Sequence, residues 1–270
     1  MPFASASSFR TLTLAGATVR VFADPAAAGR HAADAIAGAV RSTVAARGKA
    51  VLGLATGGTP VPVYEGLVAL HRAGVLSFAD VSTYNLDEYY PIGPLDPNSY
   101  RAYMHRHLFA HVDLAPNRAH VLDGTVPEAF AADLGAEFDR WIEADGGLDL
   151  QLLGIGRNGH IAFNEPSDLP AAEAARLPTR VVALHPVTAR DAVGDFGSAD
   201  LVPRRALTMG TATILSARSI LVLAFGPNKA ESVAKALHGP VTAALPASLL
   251  RSAAGSVTWL LDEPAAGELG

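Results

Sequence analysis

The chain contains no cysteine. Disulfides, thiolate metal sites and a cysteine nucleophile are thereby excluded. Charge is also sparse. Only 17% of residues are charged, 21 Lys and Arg stand against 26 Asp and Glu, and no basic run or stripe occurs. A net charge of −5 without such a stripe argues against a nucleic-acid surface. No apolar run approaches the ~18 residues a membrane-spanning helix needs. The opening stretch, MPFASASSFR, lacks a basic start followed by an apolar core, so it does not read as a secretory leader. What the chain does have is apolar material: half of its 270 residues are hydrophobic. That is enough to bury a full core, and without an internal repeat, low-complexity linker or composition break it reads as one domain over residues 1–270. The expectation is an acidic cytoplasmic protein with no nucleic-acid or membrane partner.

Strand and helix patterns alternate along the chain. Residues 17 to 23 alternate like an opening strand, and an Ala-rich helix from about Asp24 to Arg47 follows. Ala50 to Ala55 reads as a buried strand, and a helix starts near Pro60, where proline suits the first helical position. Val81 to Leu86 is the next strand, ending in Asp87, Glu88, Tyr89 and Tyr90, with a helix from about Asn98 to Ala110 beyond a Pro-rich loop. Ala119 to Leu122 is a short strand. Pro127 to Ala144 is a helix with Phe130, Leu134, Phe138 and Trp141 at helical spacing. Leu148 to Ile155 is a strand, and strand and short helix are expected at Arg180 to Leu184 and Thr188 to Asp195. Leu207 to Gly210 reads as a turn, followed by a helix over Thr211 to Arg218, a strand over Ile220 to Phe225, a helix over Asn228 to Leu237 and a closing strand over Ser256 to Leu261. This rhythm predicts an α/β fold: a Rossmann-like open, mostly parallel sheet with helices on both faces.

In such a sheet the C-terminal strand ends share one rim, where ligands bind. Three of the strand ends carry unusual chemistry. After Ala55 comes TGGTP: Gly57 and Gly58 expose backbone amides, Thr56 and Thr59 add hydroxyls, and a helix N-terminus follows. That combination resembles an anion cradle. It has neither the Lys-Ser/Thr of a Walker loop nor GxGxxG, which suits a small phosphate ester better than a nucleotide. After Leu86 come Asp87 and Glu88, either a functional pair, a solvated turn or a helix cap. After Ile155 comes GRNGHIAFNEP, where Asn158, His160 and Glu165 crowd together. An imidazole with a carboxylate five residues on is a candidate acid/base pair; equally, such a loop can use its polar groups only to satisfy its own backbone. Lys229 adds to the anion reading. It falls in the first turn of a helix, where a cation is disfavoured unless an anion sits in front. The nine histidines are scattered, with His105 and His107 read as surface residues and His185, before Pro186, as structural; no metal site is expected.

LATGGTP, NLDEYY, GIGRNGHIAFNEP, ALTMG and GPNKAESV, in this order, resemble the glucosamine-6-phosphate deaminases (isomerases) from about Val51 to Leu261. The resemblance implies a sugar-phosphate substrate and a cofactor-free reaction, in which an amino-sugar 6-phosphate and water give a ketose 6-phosphate and ammonia. In that chemistry His160 opens the pyranose ring, Glu165 orients the imidazole and Asn158 completes the hydrogen-bonded set. Asp87 moves a proton from C2 to C1, and Glu88 is left as a supporting or structural residue. Thr56, Gly57, Gly58, Thr59 and Lys229 would hold the phosphate. The family's phosphate-binding arginine aligns with Gly194, so Arg190, about one turn earlier, stands as the candidate in its place, with Arg204 and Arg205 as alternatives. Some members are hexamers with an allosteric site; its basic residues are only partly matched, with Arg180 present and Val182 where a lysine is expected, so such regulation is not expected. Homo-oligomerisation is left open. Three competitors remain: preference for the galactosamine epimer, a 6-phosphogluconolactonase-like hydrolase with His160 as general base, and a non-enzymatic sugar-phosphate sensor. The sensor would want a DNA-binding module, for which the 16 residues before the first strand leave no room.

Overall fold

The computed structural model describes residues 8–270; the expectation about the leader falls largely on residues 1–7, which lie outside the described residues. In chain order the elements are β1 (Phe9–Leu14), β2 (Ala17–Phe22), α1 (Pro25–Arg47), β3 (Ala50–Leu54), α2 (Val61–Arg72), β4 (Val81–Asn85), β5 (Asp87–Tyr90), α3 (Tyr100–His107), β6 (Ala119–His120), α4 (Glu128–Ala144), β7 (Leu150–Gly154), α5 (Ala171–Ala174), β8 (Arg180–Ala183), α6 (Pro186–Phe196), β9 (Arg205–Thr208), α7 (Thr211–Leu215), β10 (Ser219–Ala224), α8 (Ala230–His238) and β11 (Ser256–Asp262). Eight strands form one sheet in the order β1-β2-β11-β10-β7-β3-β4-β6. Every neighbouring pair except β1–β2 is parallel.

Both faces of this sheet are covered, and the strand sequences show why. Along β3, Leu52 and Leu54 point into a core shared with Ile36 of α1, Tyr64 and Leu67 of α2 and Met104 of α3. Val51, on the alternate face, joins Phe138 of α4, Ile214 of α7 and Val233 of α8 in the second core. Strands buried on both sides read as continuous apolar runs, which is what made β3, β7 and β10 visible in the sequence.

The structure corrects the reading in several places. An antiparallel hairpin precedes the expected first strand: β1 turns into β2 through Ala15 and Gly16, both at positive φ (50° and 81°). That is the backbone a two-residue hairpin turn demands. A second, three-stranded antiparallel sheet, β5-β9-β8, was not foreseen. DEYY is its strand β5 rather than the tail of β4, and the segment read as a turn from Leu207 is the end of β9. Pro60 is the cap of α2, which begins at Val61 with Pro62 next, and α3 begins two residues later than expected, behind Ser99, whose hydroxyl accepts from the Ala102 amide at 3.0 Å. His185 is structural as read: its ring accepts from the Val187 amide and caps α6.

The aromatic residues at helical spacing do not mark the buried face of helix α4. Its buried face is Ala131, Gly135, Phe138 and Ile142, while Phe130 and Trp141 are 59% and 40% exposed. The cause is close backbone packing: a Cβ at residue 135 would lie 2.3 Å from the Thr179 carbonyl oxygen, so the small residues face inward. Phe138→Ala should therefore cost about 3–5 kcal/mol by denaturant unfolding, whereas Phe130→Ala should stay within about 0.5 kcal/mol. Equal losses would show that the helix is phased as its aromatic stripe suggests.

Candidate active site

Parallel sheets bind ligands where the strand order reverses. Here β3 is followed by β4 on one side, while its other neighbour, β7, is followed by β10 on the opposite side. A cleft of about 280 Å3 opens at the C-terminal ends of these two strands. Its walls include Thr56, Gly57, Gly58 and Thr59 after β3, Asp87 at the start of β5, Gly156 and His160 after β7, and Lys229 before α8. The three strand ends singled out in the sequence thus converge on one cavity.

The loop after β7 folds back on itself. The Gly156 amide donates to the His160 carbonyl and the Gly159 amide to that of Gly156, both at 2.9 Å. A Cβ on Gly156 would lie 2.3 Å from His160 Cε1, so only glycine lets the ring lie against the backbone there. His160 Nδ1 sits 3.3 Å from Glu165 Oε2 and 3.2 Å from the Thr188 hydroxyl. Asn158 Nδ2 donates to Glu165 Oε2 at 2.9 Å, and the His160 amide donates to Asn158 Oδ1 at 3.3 Å. Burial works to raise the Glu165 carboxyl, but the hydrogen bond and charge of His160, with help from Thr188 and Asn158, outweigh it and bring it down to about 2. Glu165 is thus a fixed anion behind the imidazole.

Asp87 and Glu88 point opposite ways, as neighbours on a strand must. Asp87 is 6% exposed and faces the cleft. Burial pushes its carboxyl well above the usual range, and the adjacent Glu88 adds to the effect. Glu88 accepts the amides of Tyr89 (3.0 Å), Tyr100 (2.8 Å) and Arg101 (3.0 Å), so it anchors the first turn of α3. Burial raises it to about 7 despite those three bonds and the Arg101 charge. Its role is structural, with an electrostatic influence on Asp87.

On the opposite wall, Gly57 adopts φ 94°, a conformation natural to glycine, and Tyr103 donates to its carbonyl at 2.6 Å. The first turn of α2 has no amide to spare, since Val61 donates to the Gly58 carbonyl at 3.4 Å, Val63 to that of Pro60 at 2.9 Å, and Pro62 has no N–H. An anion here would rest on the loop amides of the cradle itself. Lys229 Nζ donates to the Ile155 carbonyl at 2.8 Å, and burial lowers its pKa. Arg190 is not brought to the cleft. On α6 the cleft-lining residues are Thr188, Asp191, Ala192 and Asp195; Arg190 lies about 200° around the helix from Thr188 and is exposed to solvent. Arg204 is also exposed, and Arg205 pairs with Glu128 at 2.6 Å.

Sequence reasoning missed Thr188, Asp191, Asp195, Tyr89 and Tyr100, all of which line the cleft. The spacing of the α6 residues, three or four apart, was a visible signal, but only the docking of that helix says which face meets the cavity. Among the described residues, no group of three or more His, Asp or Glu side chains is arranged to hold a metal ion. No described helix is long and apolar enough to cross a membrane.

Comparison with known proteins gives the family. A family described as glucosamine-6-phosphate isomerases/6-phosphogluconolactonase matches residues 23–259. The chain is 47% identical over 234 residues to a glucosamine-6-phosphate deaminase of Rhodopirellula baltica, covering 87% of this chain and 90% of that protein. It is 48% identical over 231 residues to the glucosamine-6-phosphate deaminase of Bacillus velezensis, covering 84% and 91%. A solved structure of a monomeric glucosamine-6-phosphate deaminase superimposes with a TM-score of 0.85 at 39% identity, covering 93% of this chain and 99% of that one. A 6-phosphogluconolactonase from Trypanosoma brucei, at 22% identity and a TM-score of 0.74 over 97% and 100% of the two chains, shares the fold. The chain belongs to the glucosamine-6-phosphate isomerase/6-phosphogluconolactonase family.

Proposed function

We propose that this chain is a glucosamine-6-phosphate deaminase, converting glucosamine 6-phosphate and water into fructose 6-phosphate and ammonia. The observation that carries the reading is the shared cavity: a buried carboxylate, Asp87, and His160, with Glu165 behind its ring, face the same cleft as the cradle at Thr56–Thr59 and Lys229. The phosphate docks on the cradle amides and Lys229. His160, whose Nδ1 is engaged by Glu165, uses Nε2 to move the proton between the anomeric hydroxyl and the ring oxygen, which opens the pyranose. Asp87 then takes the C2 proton and returns it to C1, leaving an imine at C2. Water adds there and ammonia leaves, so the atoms balance without a redox partner. A carboxylate whose pKa is raised by burial is a stronger base than one in water and suits removal of a proton from carbon.

Lactone hydrolysis removes no proton from carbon and leaves Asp87 without a task, which favours the deaminase over the hydrolase. The 39%-identical relative solved as a monomeric deaminase supports a site complete within one subunit. A cytoplasmic location goes with this reading, because phosphorylated sugars are retained inside cells.

The assay that tests the proposal is ammonia release from glucosamine 6-phosphate, run beside its galactosamine epimer and 6-phosphogluconolactone; turnover of the lactone alone would overturn it. Asp87→Asn should lower kcat by about 10²–10⁴ while a non-reacting substrate analogue binds as before; unimpaired turnover would remove Asp87 from the reaction. Lys229→Ala should raise KM about tenfold or more with a smaller effect on kcat, and an unchanged KM would count against a phosphate contact. The pH profile offers a third measurement. Glu88 helps to raise Asp87, so neutralising it in Glu88→Gln should move the acid limb of kcat/KM to lower pH. A limb that stays in place would belong to another group.

A further inference from the structure

The charges around the cleft pose a problem for a phosphate ester. Its walls carry Asp87, Asp191 and Asp195, and among its lining residues Lys229 is the one Lys or Arg. A dianion would meet more negative charge than positive. A second cation stands beside the cavity, however, and it is already occupied. Arg157 directly follows cleft-lining Gly156. Its Nε donates to Asp191 Oδ2 at 2.9 Å, and its Nη2 lies 2.8 Å from Asp191 Oδ1. The pair joins the loop after β7 to α6, with the two side chains 42% and 49% exposed. Both charges are close enough to act on the Lys229 ammonium, Asp191 raising its pKa and Arg157 lowering it.

We infer that Arg157 is the second phosphate-binding cation of this chain, held in reserve by Asp191 until a phosphorylated ligand arrives. A planar guanidinium offers two parallel N–H groups, and carboxylate and phosphate oxygens accept that fork equally well. The exchange therefore keeps the geometry and changes only the acceptor. An exposed ion pair contributes little to stability, so releasing it costs little. Asp191, half-exposed, turns to solvent. Arg157 then supplies from the catalytic loop the charge that α6 does not deliver, since Arg190 lies on the far side of that helix. This inference rests on the phosphate-ester reading of the cleft.

Three variants test it: Arg157→Met, Arg157→Lys and Asp191→Asn, each first checked for a cooperative thermal melt. In the ammonia-release assay Arg157→Met should raise KM for glucosamine 6-phosphate about tenfold or more and leave kcat within about threefold. The inhibition constant of inorganic phosphate should rise by a similar factor. Arg157→Lys, which keeps the charge and loses the fork, should fall between. Asp191→Asn, which removes the competing acceptor, should raise neither constant. Two results would overturn the inference: Arg157→Met with both constants unchanged, or Asp191→Asn weakening binding as much as Arg157→Met, which would make the pair a strut for α6. If the wild-type chain released no ammonia from glucosamine 6-phosphate, the functional reading would fall. Calorimetric binding of inorganic phosphate to wild type and Arg157→Met would still decide the role of Arg157.

Discussion

Strand β9 holds the two halves of the candidate site together. Its Thr208 stands in register opposite Asp87 on β5, and the same threonine hydroxyl accepts the Phe163 amide at 3.1 Å. One residue on, the Met209 amide donates to Leu86 and the Met209 carbonyl accepts from Asn164 Nδ2 at 2.9 Å. The proposed base and the loop that carries the imidazole are therefore fastened to one short strand, although Asp87 and His160 lie far apart in sequence. The parallel sheet opens the crevice by sending β4 and β10 to opposite sides, and the antiparallel sheet sets the separation of the groups that face it. A buried ladder of this kind cannot shift without leaving its amides and carbonyls unpaired.

Three neighbouring carboxyls take different protonation behaviour from their surroundings. Glu165 has hydrogen-bond donors and an imidazole around it and is held near 2, whereas Glu88, with three amide donors but almost no water, rises to about 7. Asp87 has no such donors to offset its burial and is pushed well upward. Environments that drive acids apart in this way separate a permanent anion from a group able to take and return a proton. The proposed division of labour, Glu165 orienting and Asp87 moving the proton, draws its support from this difference in local solvation.

The parts of the structure legible in the sequence are those written locally. The core strands announce themselves as apolar runs because both of their faces are buried, and TGGTP and GRNGHIAFNEP stand out because glycine and polar residues cluster just beyond such runs. What stayed hidden depends on long-range pairing. Strands β5 and β9 have four residues each and pair across more than a hundred residues, so no window of sequence holds their pattern, and β8, legible as a strand from Arg180, gave no sign of the sheet it joins. The role of Glu88 needed the knowledge that α3, 12 residues on, starts against it. Arg190 was misplaced because a helix was recognised without its rotation, just as the helical spacing of Phe130 and Trp141 in α4 did not say that both stay exposed.

The five-residue spacing from His160 to Glu165 has a physical origin of its own. The chain must reverse for the carboxylate to return to the ring, and it does so between Ile161 and Asn164, where the Asn164 amide donates to the Ile161 carbonyl at 3.0 Å. Ala162 takes the left-handed conformation this turn needs, at φ 50°, and it lines the cleft. A non-glycine residue held there costs about 1 kcal/mol or more. Asn164 supplies the compensation: it is 2% exposed, donates to Ile161 and Met209, and accepts from Arg180 at 2.9 Å. A side chain larger than alanine at 162 would project into the cavity, while glycine would relieve the strain and loosen the reversal. The small residue, the buried asparagine and the His–Glu pair are therefore one unit, because the strained turn brings Glu165 to Nδ1 only while Asn164 keeps it closed.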